Sequence, residues 1–136
     1  MSQIIVYTND DGGVSVCVPS GELPIAQVQA KDIPAGKQSF IVDRSVMPLE
    51  DIDFRNAWEQ TNGTITINLT KAKAITKARL REERTPLLAA QDVLFQRALE
   101  TNASTTAIVA EKQRLRDITN LADTASTLAE LRAIRC

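Results

Sequence analysis

Apolar and polar residues alternate along two short runs near the start of the chain, residues 4–8 (IIVYT) and 14–18 (VSVCV). Such alternation marks strands with one buried side. Val14, Val16 and Val18 share one face, and Ser15 and Cys17 take the other. Between the runs stands Asn9-Asp10-Asp11-Gly12-Gly13, residue types that favour tight turns with positive φ, so the pair predicts a β-hairpin. Pro19, Gly21 and Pro24 then break the pattern. Over 25–32 the apolar Ile25, Val28 and Ala30 follow a helical spacing until Pro34 and Gly36 stop it. Residues 39–43, carrying Phe40, Ile41 and Val42, read as a third strand. Residues 53–60 place Phe54, Ala57 and Trp58 at helical spacing, which predicts one or two turns of helix pinning the only tryptophan into a small core. Asn62-Gly63 signals a turn, and TITIN over 64–68 alternates as a strand does.

After Asn68, a good N-cap residue, the period changes. The chain is rich in Ala, Lys, Arg, Leu and Glu and meets almost no breaker before residue 101, so a long helix is expected. Its one defect is Pro86, which lacks a backbone donor and clashes with the carbonyl four residues back. Either the helix kinks near Thr85, or it ends there and restarts with Thr85 as cap and Pro86 in its first turn. Leu80, Leu87 and Leu94 recur every seven residues, with Leu88, Phe95 and Ala98 beside them. The polar TNAST over 101–105 favours an antiparallel return. From Thr106 to about Leu121, Ile108, Leu115 and Ala122 keep heptad spacing and Ile118 fills the adjoining position, as in a helical hairpin of coiled-coil type or a helix pair that packs on a partner. Residues 123–126 interrupt, and Ser126 can cap a last short helix with Leu128, Leu131 and Ile134.

The expected class is therefore α+β, with a small β-rich head over 1–68 and a helical hairpin with a short terminal helix over 69–136. The 136 residues fit one domain, or a small domain with a helical extension. Aromatics make up only 4%, so aliphatic side chains must carry most of the core. Charge separates the halves: nine acidic against four basic residues up to 68, and eight against twelve beyond. That asymmetry suits complementary surfaces between copies or toward partners, and it also suits plain surface patterning. No apolar run reaches the ~20 residues that span a bilayer, and the N-terminus lacks a signal-peptide layout, so synthesis in a cytoplasm without membrane insertion is expected.

Histidine is absent, which removes the usual general base and excludes serine–histidine and cysteine–histidine catalysis. The acidic pairs at Asp10-Asp11, Glu50 to Asp53 and Glu82-Glu83 lie in turns or on a charged face, without apolar flanks that would raise a carboxyl pKa. No enzyme is expected. Asp11-Gly12-Gly13 joins two strands and does not lead from strand to helix, so it is no phosphate loop, and the same turn lacks the spaced oxygens of a calcium loop. Cys17 and Cys136 are too few and too far apart for a disulfide framework or a metal site, although an exposed Cys136 could link copies in an oxidising medium. No cofactor and no metal is expected. Lys71, Lys73, Lys77, Arg79, Arg81 and Arg84 form a basic run that could track phosphates. Those residues wind round the helix with no interleaved aromatic, which favours a solvated face over a nucleic-acid groove.

Residues 65–100, ITINLTKAKAITKARLREERTPLLAAQDVLFQRALE, and 108–119, IVAEKQRLRDIT, resemble small tail, tail-fibre and tail-assembly proteins of tailed bacteriophages and prophages. YTNDDGGVSVCVP, KDIPAG and FRNAWE resemble the same group, so the likeness covers most of the chain. The shared motifs are helix-packing patterns. Arg97, Leu99, Gln113, Leu115, Arg116, Asp117 and Ile118 stand at matching positions as hairpin contacts, with Arg97 and Arg116 expected to bond carboxylates such as Asp117 across the hairpin. The resemblance implies a role in virion assembly, and the expected protein is a structural component of the tail, baseplate or fibre attachment, in many copies, bound to other virion proteins through its helical hairpin and head; Leu80, Leu87, Leu88, Leu94, Phe95, Ile108, Leu115 and Ile118 are the expected packing or interaction residues. An assembly chaperone that leaves before the virion is complete, and a phage DNA-binding regulator using residues 71–84, are the alternatives.

Overall fold

The computed structural model describes residues 2–136. The chain divides into two compact units, Met1–Asn68 and Leu69–Cys136, and its class is α+β: small antiparallel sheets, then one long helix and several short ones.

In the first unit, β1 (Gln3–Thr8) is the central strand of a three-stranded antiparallel sheet, between β2 (Val14–Cys17) and β3 (Ser39–Asp43). The β1–β2 turn is held by Asn9, whose Oδ1 accepts from the backbone N–H of Asp11 and of Gly13, both at 3.0 Å. Because successive side chains point to opposite faces, Ile4 and Val6 share one side of β1 and Ile5 takes the other; all three are fully buried. Helix α1 (Ile25–Asp32) packs against β1 and buries Val28. On the other face, Ile4, Val6 and Val14 enclose Trp58 together with Phe40, Val42, Ile65 and Ile67. The one-faced valine stripe expected in β2 is shorter than the alternation suggested: Val14 is buried and Val16 half-buried, whereas Val18 lies past the strand end and is exposed.

Trp58 reaches that core by a different route from the expected one. Residues 49–57 form a run of 3₁₀ helix, Leu49–Ala57, broken by non-helical dihedrals at Asp51 and Phe54. Trp58 itself opens β4 (Trp58–Thr61), which pairs with β5 (Thr64–Ile67) so that Trp58 faces Ile67 across the ladder. Helical spacing held for Phe54 and Ala57, which are buried in the 3₁₀ run, and Trp58 is in the core as expected, but it failed as a guide to the backbone of Trp58, because the strand pairing is decided by the partner beyond the turn. In that turn Asn62 and Gly63 both have positive φ, 52° and 87°, the geometry of a two-residue hairpin. A Cβ on Gly63 would sit 2.7 Å from Val42 Cγ1, so this glycine also lets the second hairpin press on β3. Arg55 stacks 4.7 Å from the Trp58 ring centroid and donates to the Val14 carbonyl at 2.6 Å, tying the 3₁₀ run to β2.

The second unit is built on α2 (Leu69–Glu100), 32 residues long and so ~48 Å from end to end. It runs through Pro86 as one helix; the restart at Thr85 does not occur. Thr85 Oγ1 donates to the Arg81 carbonyl at 2.8 Å, and Pro86 stands on an exposed side, where the Glu82 carbonyl that it deprives of a donor can be solvated. After the turn at 101–105, α3 (Thr106–Asp117) returns along the C-terminal half of α2. It stops before the expected Leu121. A break at Ile118 and Thr119 leads to α4 (Asn120–Thr124) and then α5 (Leu128–Ala133), which lie along the N-terminal half of α2. The N-cap of α5 is Thr127, not Ser126: its hydroxyl accepts from Glu130 N–H at 3.1 Å, and the Glu130 carboxylate reaches back to Ser126 N–H at 2.7 Å.

Candidate interaction surface

Helices of 5, 6 and 12 residues are too short to persist alone in water, where ~12–15 residues are marginal. What docks them on α2 is a buried row plus a set of charged clamps. The row comprises Ala72, Thr76, Leu80 and Ala98 on α2, facing Leu115, Ile118, Ala122 and Leu131. Thr76 is the one buried polar residue among those described, and its hydroxyl is satisfied by the Ala72 carbonyl at 3.0 Å.

The clamps come from the basic run of α2. Arg79 donates to the carbonyls of Leu131 at 3.1 Å and Ile134 at 2.9 Å, at the C-terminal end of α5. Arg84 donates to the carbonyls of Leu115 and Arg116, at 3.4 and 2.8 Å, at the end of α3. The last carbonyls of a helix lack intrahelical donors and carry the negative end of its dipole, so a guanidinium there fills two needs together. Lys77 pairs with Asp123 at 2.5 Å, and Lys73 donates to the Asp123 carbonyl at 3.1 Å. Lys73, Lys77, Arg79 and Arg84, from the run that reads as a solvated face or a phosphate track, are therefore engaged within the chain. Sequence carries no sign of this, since the acceptors, backbone carbonyls and the Asp123 carboxylate, lie about 30–55 residues away.

Glu83 is the hub of a smaller network. It accepts from Arg79 at 2.8 Å and from Arg135 at 3.1 Å. The Arg79 hydrogen bond, reinforced by Arg135, holds its carboxyl below the usual glutamate range despite partial desolvation. Cys136 lies nearby, half-buried, with Sγ donating to the Leu80 carbonyl at 3.6 Å. Burial, and then the Glu83 charge, push its thiol above the ordinary value, which suppresses the thiolate that disulfide exchange needs. An exposed Cys136 ready to link copies is not what the fold provides.

Across the hairpin, the ion pair is Lys112 with Asp92 at 2.6 Å, and Lys112 also stands 5.3 Å from the Phe95 ring centroid. It was expected at Arg97 and Arg116. Those two side chains project outward, and Asp117 instead accepts from Gln113 one turn earlier on α3 at 3.0 Å.

The leucine repeat divides in the same way. Leu80 is fully buried, and Leu88, Phe95 and Ile108 are half-buried beside α3, with Leu115 and Ile118 inside. Leu87 and Leu94 are 41% and 45% exposed, and Val93 between them is 50% exposed. A straight helix drifts ~20° per heptad from a strict seven-residue repeat, and α3 settles on the side bearing Leu88 and Phe95. The Leu87–Leu94 edge is left uncovered. A clustered apolar surface of this kind marks an interaction site more often than scattered exposed leucines do. The head has apolar exposure of its own at Val18 and Leu23, which border a shallow groove of about 310 Å³ with Pro19 and Ile25.

Among the described residues, no three Cys, Asp or Glu side chains gather closely enough to hold a metal ion, and no helix is long and apolar enough to cross a membrane. No protein-family model, curated protein or solved structure matches the chain.

Proposed function

We propose that this chain is a non-enzymatic structural protein of a phage virion, in the tail, baseplate or tail-fibre attachment, which joins other virion proteins through its helical unit and head. The observation that carries the reading is the uncovered Leu87–Leu94 edge on a helix whose other sides are already clamped. An apolar edge held rigid by intrachain bonds is available for docking without first being ordered, which lowers the entropy that binding must overcome. The likeness of residues 65–119 to tail-associated phage proteins supports the same assignment. Engagement of Lys73, Lys77, Arg79 and Arg84 in the fold speaks against a DNA-binding regulator, which would need those cations free for phosphates.

The test is mass spectrometry of purified virions of a phage that encodes the chain. Stoichiometric presence is expected. Presence in infected-cell lysate with absence from virions transfers the assignment to an assembly chaperone, and absence of a virion defect on deletion removes both.

A further inference from the structure

We infer that the Leu87–Leu94 edge of α2 is an isologous contact for a second copy of this chain, paired antiparallel about a two-fold axis at Ala90. Along this edge Glu83, Leu87, Ala90, Leu94 and Arg97 follow one another at spacings of four, three, four and three residues, the rhythm of a coiled-coil seam. Ala90 is the centre. Glu83 lies seven residues before it and Arg97 seven after, each ~10.5 Å along the axis. A two-fold axis through Ala90 brings Leu87 against Leu94 of the second copy and Glu83 against Arg97 of the second copy, with each contact made twice. Parallel pairing would instead set Glu83 on Glu83 and Arg97 on Arg97.

The state of these groups in the single chain fits the same arrangement. Leu87 and Leu94 are 41% and 45% exposed, and Arg97 has no carboxylate within ion-pair distance among the described residues. Glu83 accepts from Arg79, from Arg135 and from the Cys136 backbone N–H, and a carboxylate offers about four lone-pair sites, so one remains for a single N–H of a further guanidinium. The small side chain at Ala90 permits two helices to approach at ~8 Å, the close end of the usual range. Two heptads bury well under the ~800 Å² per partner of a standard stable interface, so the dimer is expected to be weak, on the order of micromolar or weaker. This contact rests on the reading of the same edge as a docking surface and names a second copy as its occupant; it is tested on the purified chain, whereas the virion assignment is tested on virions, so either can fail alone.

Sedimentation velocity of the full chain from low micromolar to millimolar concentration should show the 14.9 kDa monomer giving way to a dimer. Leu94→Glu should weaken association by ~10-fold or more, and Arg97→Glu by several-fold, on the usual scale for a central apolar residue against a rim charge. Both sites are exposed, and far-ultraviolet circular dichroism should be unchanged. In a Cys17→Ser, Cys136→Ser background, mild oxidation should link Ala90→Cys to itself far faster than Leu87→Cys to itself. A monomer at every concentration, or a dimer indifferent to Leu94→Glu, would overturn the inference. Equal self-linking at 87 and 90 would likewise exclude the antiparallel axis.

Discussion

The head and the helical unit are similar in length and are held together by different means. In the head, cohesion is apolar and long-range: Ile4 and Val6 of β1 and Trp58 of β4, all buried, pack with residues from three further strands, β2, β3 and β5. Charged groups there act at the surface, as where Lys37 pairs with the exposed Asp10, and Arg55 ties the 3₁₀ run to β2. In the helical unit the buried row is made largely of small residues, Ala72, Thr76, Ala98, Ala122 and Ala125 among them, and charged side chains do much of the fastening. A core of small side chains buries less apolar area per residue, at ~25 cal/mol per Å², so directional bonds to helix ends take on more of the work. The difference teaches that basic residues on a helix need not be a message to a ligand.

Four sets of substitutions or titrations probe this contrast, beginning with the largest effect. Trp58→Ala should destabilise the head by about 3–5 kcal/mol, the range for deleting a buried aromatic, as followed by urea denaturation with circular dichroism. Gly63→Ala should lose about 1–3 kcal/mol, through positive φ and the approach to Val42; Gly21→Ala, which also has positive φ but open space around its Cβ, should lose less. If the two are equal, the packing of the second hairpin on β3 has been overvalued.

Arg79→Ala and Arg84→Ala should each weaken the helical unit by about 1–2 kcal/mol, reduced from the full value of charged hydrogen bonds because both groups are partly exposed. Arg81→Ala, on the same helix with an exposed side chain, should stay within about 0.5 kcal/mol of the parent. Equal effects at 79, 81 and 84 would erase the distinction drawn between clamps and solvated charges. The smallest effect is acid loosening of α5. The folded-state pKa of Glu83 is depressed, so its contribution is present above the unfolded value of 4.5 and is lost as pH falls through the folded one. Protection factors for amide exchange in residues 128–136, taken relative to the intrinsic rate at each pH, should therefore fall at acid pH, and Glu83→Gln should flatten that dependence.

Much of the fold was legible in the sequence where local rules decide it. Asn9 to Gly13 and Asn62-Gly63 both make the turns that their residue types favour, and Ile25 to Asp32 forms the short helix that its spacing implies. Misreadings occurred where a distant partner decides. Trp58 pairs with Ile67 across a turn, so its helical spacing to Phe54 was coincidence. The break at Ile118 comes where Arg84 takes up the last carbonyls of α3, which no pattern within 106–121 announces. For the candidate surface, the heptad leucines were visible; which of them would be covered was not, because that depends on the side of α2 chosen by α3.

The two arginine clamps also decide what could be transplanted. Anyone wishing to graft the leucine edge onto another scaffold could not excise α2 as a bare peptide, since the partners that straighten and orient it arrive from up to 55 residues downstream. The smallest portable cassette is residues 69–136, or a redesign in which new donors replace Arg79 and Arg84 at the ends of whatever helices are laid alongside.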